Sequence, residues 1–266
     1  MTKILIYGGC HARILQRLLS RALIGKATID VIINYEIIEE GIPFPKYRIP
    51  DYDHFIFSPI VNKEEWNTDD IVNVCRKKGV NTISYPWLQW NGYFPGVQKI
   101  SVLGVQAWFY QFIIDEMQNH CDVHEFIESI IKGGVEKKNI EENIISTTNR
   151  LKQNEHDSGT DVIISDFILY NYKKKRLFLT PDHPSRFVYQ ELLKRIIPKL
   201  GFFSWPTYLF REPQNEAWTP ILPSVARSLN LSFSNTTFRA SGYEPCSLVH
   251  LLTALFERKN MEEVGR

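Results

Sequence analysis

The residues best suited to chemistry stand near the start of the chain, in "KILIYGGCHARILQRLL". A short apolar run meets Gly8-Gly9-Cys10-His11, and a helical pattern of apolar positions follows at once. A thiol at a sharp strand-to-helix turn is lifted out of the sheet's carboxyl edge. Helix N–H groups then point at any oxyanion that develops there. The helix N-terminus also favours the nucleophilic thiolate, and Gly8 and Gly9 let a substrate approach the backbone. Against this stands plain packing, since a free cysteine is often a small apolar residue at a crowded crossing. The turn by itself leaves the two readings level. A dinucleotide turn needs G-x-G-x-x-G; here the third glycine is missing and the first two are wrongly spaced.

A nucleophile needs a base, and the chain has seven histidines. His11 adjoins Cys10, but neighbouring side chains at a helix start diverge. His183, in "FLTPDHPSRF", lies between an apolar stretch and a helix, in a turn held by Pro181 and Pro184, with Asp182 before it. It is either a base or a structural histidine bonding a helix end or a carbonyl. "HCDVH" places His120 and His124 at i, i+4, yet no HExxH pattern follows, and no metal site is expected. Arg13, Arg17 and Arg21 form a stripe at i, i+4, i+8. It reads as a solvated face, with Arg13 placed to hold a phosphate near the helix start. The run "YPWLQWNGYFPG" (85–96) offers aromatic faces to a sugar or an adenine, or else packs under a loop.

The elements that position these residues follow from periodicity. Residues 4–7, 27–35, 54–60 and 81–86 read as strands, alternating with a helix from Ala12 and one over 70–79 closed by Gly79. That alternation predicts a parallel sheet covered on its faces. Beyond residue 100 the pattern turns helical. A buried helix is expected over 105–117, one over 122–134 with Asp122 as N-cap, and a solvated one over 135–155. Residues 162–172 suit either helix or strand. Helices are expected over 186–201 and 244–260, the latter with Pro245 in its first turn, and 202–220 reads as irregular. The expected division is an α/β core over 1–104 and a mainly helical lobe over 105–266, forming one continuous structural unit.

Bulk properties narrow the partners. With 31 basic and 30 acidic residues, no global field draws the chain to nucleic acid or an anionic membrane. The four cysteines are scattered without a CxxC pair and read as reduced thiols. There is no signal-peptide pattern, and no apolar run approaches the ~20 residues of a membrane span. A soluble, cytoplasmic protein is expected.

Three ordered segments, "IYGGCHARIL", "SYPWLQWNGYFP" and "LFLTPDHPSRFVYQELL", together resemble the WcbI-like polysaccharide biosynthesis acetyltransferases over about residues 3–200, and "PILPSVARSLNL" is similar to the family's tail. The resemblance implies a core related to SGNH-type esterases: a short, Rossmann-like parallel sheet in three layers with a large helical lobe. It also implies coenzyme A as cofactor and acetylation of a sugar in a capsular or other surface polysaccharide. By motif, Cys10 takes the place of the esterase nucleophile and His183 that of its histidine. The chain departs from many members at His11, where Gln is common, and at Asn91, often acidic. Coenzyme A's phosphates need local cations, for which Arg13, Arg17 and Arg186 lie nearest in sequence. Gly9, His11, Tyr85, Gly92 and Tyr93 complete the expected cofactor site. Rival expectations are an SGNH-like esterase or thiol hydrolase and a non-catalytic carbohydrate-binding protein.

Overall fold

The structure, a computed structural model, describes residues 1–203 and 209–264. The chain forms two compact units that interleave in sequence. The first comprises Met1–Leu88, Lys152–Phe167 and Arg186–Pro213; the second comprises Gln89–Leu151, Ile168–Ser185 and Gln214–Arg266. Among the described residues, no helix is long and apolar enough to cross a membrane.

The first unit is built on four parallel strands, β1 (Thr2–Gly8), β2 (Ala27–Ile33), β3 (His54–Phe57) and β4 (Asn81–Ser84). Their order is β2-β1-β3-β4, with Ile4 opposite both Ile29 and His54. Ile4 through Tyr7 are all buried, as a central parallel strand covered on both faces requires. Leu5 and Tyr7 pack with Phe55, Phe57 and two side chains of helix α3 (Thr68–Lys77), Ile71 and Cys75. That helix carries Asp69 and Asp70 in its first turn and Arg76 and Lys77 in its last, matching its dipole. It stops before Gly79, whose φ of 73° suits glycine. Helix α1 (Cys10–Ala22) buries Ile14, Leu15, Leu18 and Leu19 on one stripe. A short α2 (Asn34–Glu39) follows β2. Later in the chain, α8 (Arg186–Lys199) returns to this unit and packs on α1.

The second unit differs from the sequence expectation at its start. Residues 105–117 are not one buried helix. Val105–Tyr110 is a strand, β6, paired antiparallel with β5 (Val97–Val102), and only Gln111–Met117 is helical, α4. The two-residue link Leu103-Gly104 has φ of 50° and 91°, as in the tight turn that matches strand twist. An apolar run with a strand period on one half was masked by its helical second half. Helix α5 (Val123–Glu128) starts as expected, because Asp122 accepts from the N–H groups of His124 and Glu125 at 2.8 and 2.9 Å.

The solvated helix is α6 (Lys137–Asp157), and the ambiguous segment resolves as helix α7 (Ser165–Asn171). A small hairpin follows, β7 (Phe178–Thr180) and β8 (His183–Pro184). Next come α9 (Pro223–Ser228) and a strand pair, β9 (Thr237–Phe238) with β10 (Cys246–Ser247). The last helix, α10 (Leu248–Val264), begins after that pairing, so Pro245 lies ahead of it and not in its first turn. Of the stretch read as irregular, 204–208 lies outside the described residues.

Candidate functional site

In the first unit, the carboxyl ends of all four strands converge on the Gly8-Gly9-Cys10 turn. The chain order reverses between β1 and β3, and the crevice at such a switch point is where open α/β sheets bind ligands. Cys10 is the first residue of α1 and half-buried; no acidic side chain sits in that first turn, and Gly9 caps the helix without a side-chain bond. The positive end of the helix dipole is therefore unopposed by a carboxylate of its own first turn.

Two hydroxyls stand behind the turn. The Ser58 N–H donates to Tyr7 O at 3.1 Å and the Tyr85 N–H to Phe57 O at 2.9 Å, which carries the ladder one residue past β3 and β4. Both side chains are buried, and neither Ser58 Oγ nor Tyr85 Oη has a hydrogen-bond partner among the described residues. Buried polar atoms are rarely left so, and those that are call for a reason. A Cβ on Gly8 would come within 2.9 Å of Tyr85 Oη and 3.6 Å of Ser58 Cβ, so the missing side chain is what admits the phenol. Burial pushes the Tyr85 hydroxyl far above its ordinary range, and a charge on nearby Cys10 pushes it further. It stays protonated and stays a donor.

Gly9 serves a similar end, since a Cβ there would lie 3.1 Å from the Trp87 ring. Trp87 lies against His11, ring centroids 5.2 Å apart, and is itself 42% exposed. His11 is buried while Cys10 is half-exposed.

The expected arginines are placed differently. Arg13 pairs with Glu36 at 2.5 Å. Arg17 donates to Pro213 O at 2.7 Å and, with Arg21 and Arg211, lines a cleft of about 640 Å³. Arg186 shapes the same region: its N–H donates to Glu212 at 2.5 Å and its Nη1 to Phe210 O at 2.7 Å.

In the second unit, most of the aromatic loop is core. Trp90 and Tyr93 are fully buried, with ring centroids 4.9 Å apart. The Tyr93 hydroxyl donates to Tyr172 O at 2.7 Å, and a Cβ at Gly92 would overlap the Trp90 indole. Gly92 and Tyr93 are thus committed to packing. His183 opens β8 on the hairpin, opposite Thr180. Its Nδ1 is buried and makes no hydrogen bond to any described residue, so through that nitrogen it is neither a helix cap nor a carbonyl donor. Asp182 beside it is held by Trp108 Nε1 and Thr180 Oγ1, both at 2.7 Å.

The family model of the polysaccharide biosynthesis enzyme WcbI matches residues 3–204. The chain belongs to the WcbI family. A solved structure of WcbI, described as a polysaccharide biosynthesis enzyme in a native form without the disulfide bond between coenzyme A and a cysteine, shares the fold. It is 21% identical, with a TM-score of 0.75 over 97% of this chain and 90% of that one. No curated protein matches. Within the WcbI fold, Ser58 and Arg211 join the candidate site without a motif in the sequence to mark them. Ser58 carries a usable signal, a small polar residue directly after a buried apolar strand at the sheet's carboxyl edge. Arg211 carries none, because only folding brings it to the cleft that α1 lines.

Proposed function

We propose that this chain is a coenzyme A-dependent acyltransferase that moves an acetyl group from acetyl-CoA to a sugar hydroxyl during synthesis of a capsular or other surface polysaccharide. The observation that carries the reading is the Cys10 turn at the switch point, with two hydroxyls behind it that have no partner among the described residues. Family membership supplies the polysaccharide context. The likeness to a structure described through coenzyme A and a cysteine supports a thioester beside Cys10.

On this reading, Gly9, His11 and Tyr85 belong to the donor end of the site. The Arg17–Arg21–Arg211 cleft, about 640 Å³, falls within the ~300–1,000 Å³ of ligand pockets and concentrates positive charge for phosphates. Arg186 holds the far wall through Glu212. His183 is the base for the acceptor. It removes the proton from a sugar hydroxyl, whose oxygen attacks the thioester carbonyl; the C–S bond breaks and coenzyme A leaves as a thiolate that is then protonated. Donors at the Cys10 turn stabilise the oxyanion.

Release of coenzyme A from acetyl-CoA, with surface polysaccharide from the source cell as acceptor, tests these roles. His183→Ala abolishes transfer, and Cys10→Ala slows it about 100- to 1,000-fold, the loss of one oxyanion contact. No acetyl adduct accumulates on Cys10 by intact mass. An adduct forming and clearing at the turnover rate replaces direct transfer with a covalent route. Wild-type rates in both variants refute the assignment of either residue.

A further inference from the structure

A second cleft, of about 230 Å³, lies wholly within the second unit, and the donor chemistry does not use it. Its walls include Trp108, Trp218, Lys99, Asp182, His183 and Arg239. Both indoles are fixed. Trp108 donates to Asp182 and has the Lys99 ammonium 5.1 Å from its ring centroid. Trp218 donates to Asn215 Oδ1 at 2.8 Å and has the Arg176 guanidinium 5.1 Å from its ring. Asp182 is fixed too, with Oδ1 taking two hydrogen bonds and Oδ2 lying 3.7 Å from Lys99 Nζ. Arg239 forms no ion pair among the described residues, and the His183 ring is not spent on a structural bond through Nδ1.

Rigid aromatic walls, a locked carboxylate, a cation and an imidazole in one small cavity suit a compact polyol. Its C–H faces pack on the indoles, and its hydroxyls meet the convergent polar groups. Size decides against the cofactor here, since the cavity falls below the ~300 Å³ at which drug-sized ligands begin to fit. We propose that this cleft is the acceptor subsite and takes a single pyranose unit, one hydroxyl of which is presented to His183. The assignment rests on the acyltransferase reading and adds to it where, and by which side chains, the sugar is recognised. The proton that His183 takes comes from that hydroxyl, in the step written above.

The full-length chain is titrated by calorimetry with methyl glycosides of glucose, galactose, mannose, N-acetylglucosamine and glucuronic acid, and separately with coenzyme A. At least one glycoside binds with a millimolar dissociation constant. Trp218→Ala and Asp182→Asn each weaken that binding about tenfold or more, a loss of one well-placed contact, and leave coenzyme A affinity unchanged. The unchanged cofactor binding shows that the variants fold; Asp182→Asn keeps the shape should Trp218→Ala not. If coenzyme A binds but no glycoside does, or if both variants bind the glycoside as tightly as the wild-type chain, the subsite is wrong and the acyltransferase reading stands. If coenzyme A itself does not bind, the reading beneath it fails.

Discussion

At the scale of single residues, the Cys10 turn gathers groups that a packing cysteine would not need. Cys75 makes the contrast: it is fully buried in the first unit's core, and burial pushes its thiol up to about 11. Cys10 instead opens a helix with a protonated phenol nearby. A hydroxyl that stays a donor stabilises a neighbouring negative charge. Tyr85→Phe is therefore expected to raise the pH at which Cys10 becomes reactive and to slow its alkylation at neutral pH. Site-resolved mass spectrometry of iodoacetamide labelling across pH reads this directly, with the exposed Cys121 as internal control. An unchanged Cys10 profile, with Cys121 also unchanged, would remove the phenol from the account. Cys10 and His183 stand out in the sequence because each sits at a turn flanked by residues with restricted or permissive backbone. Ser58 is marked only by its place directly after a buried strand, a signal that gains meaning once the strand order puts it beside Gly8.

At the scale of elements, the first unit is more legible in the sequence than the second. Strands β1 to β4 and helices α1 and α3 announce themselves by apolar runs and stripes with glycine stops. The β5–β6 hairpin did not, because "VQAWFYQFIIDEM" joins a strand to a helix with no break in hydrophobicity. The aromatic loop, which the sequence leaves open between ligand and core, packs mostly inward. Its rings look like a ligand platform, yet only Trp87 reaches solvent appreciably, while Tyr85, Trp90 and Tyr93 are buried. Gly92 belongs to that packing. Gly92→Ala is expected to cost about 1–3 kcal/mol by overpacking against Trp90, measured as a lower midpoint in urea without a change of slope. A midpoint equal to wild type would mean the loop yields more easily than a fully buried indole should.

At the scale of the whole molecule, stability should fall toward alkaline pH. Tyr7, Tyr85, Tyr93 and Tyr110 are all lifted well above 10.0 by burial, and Cys75 is lifted from 9.0 to about 11. These groups lose their protons first in the unfolded chain. The stability they contribute is complete below their unfolded values and drains away as pH rises through the folded ones. For Cys75 that window runs from 9.0 to about 11, with the tyrosines following above 10.0. Thermal denaturation should show a flat midpoint up to about pH 9 and a decline beyond it; a midpoint that rises over that range contradicts the assignment. Charge is also unevenly distributed. The chain is nearly neutral, yet three arginines share one cleft in the first unit.

That concentration makes coenzyme A binding the sharpest test of the proposed acyltransferase. Calorimetry of the wild-type chain with coenzyme A should give one site. Arg17→Ala and Arg211→Ala should each weaken it by roughly 1.5–3 kcal/mol, a lost charge-assisted contact. The absence of any coenzyme A binding to the wild-type chain, or affinity indifferent to both arginines, would contradict the account.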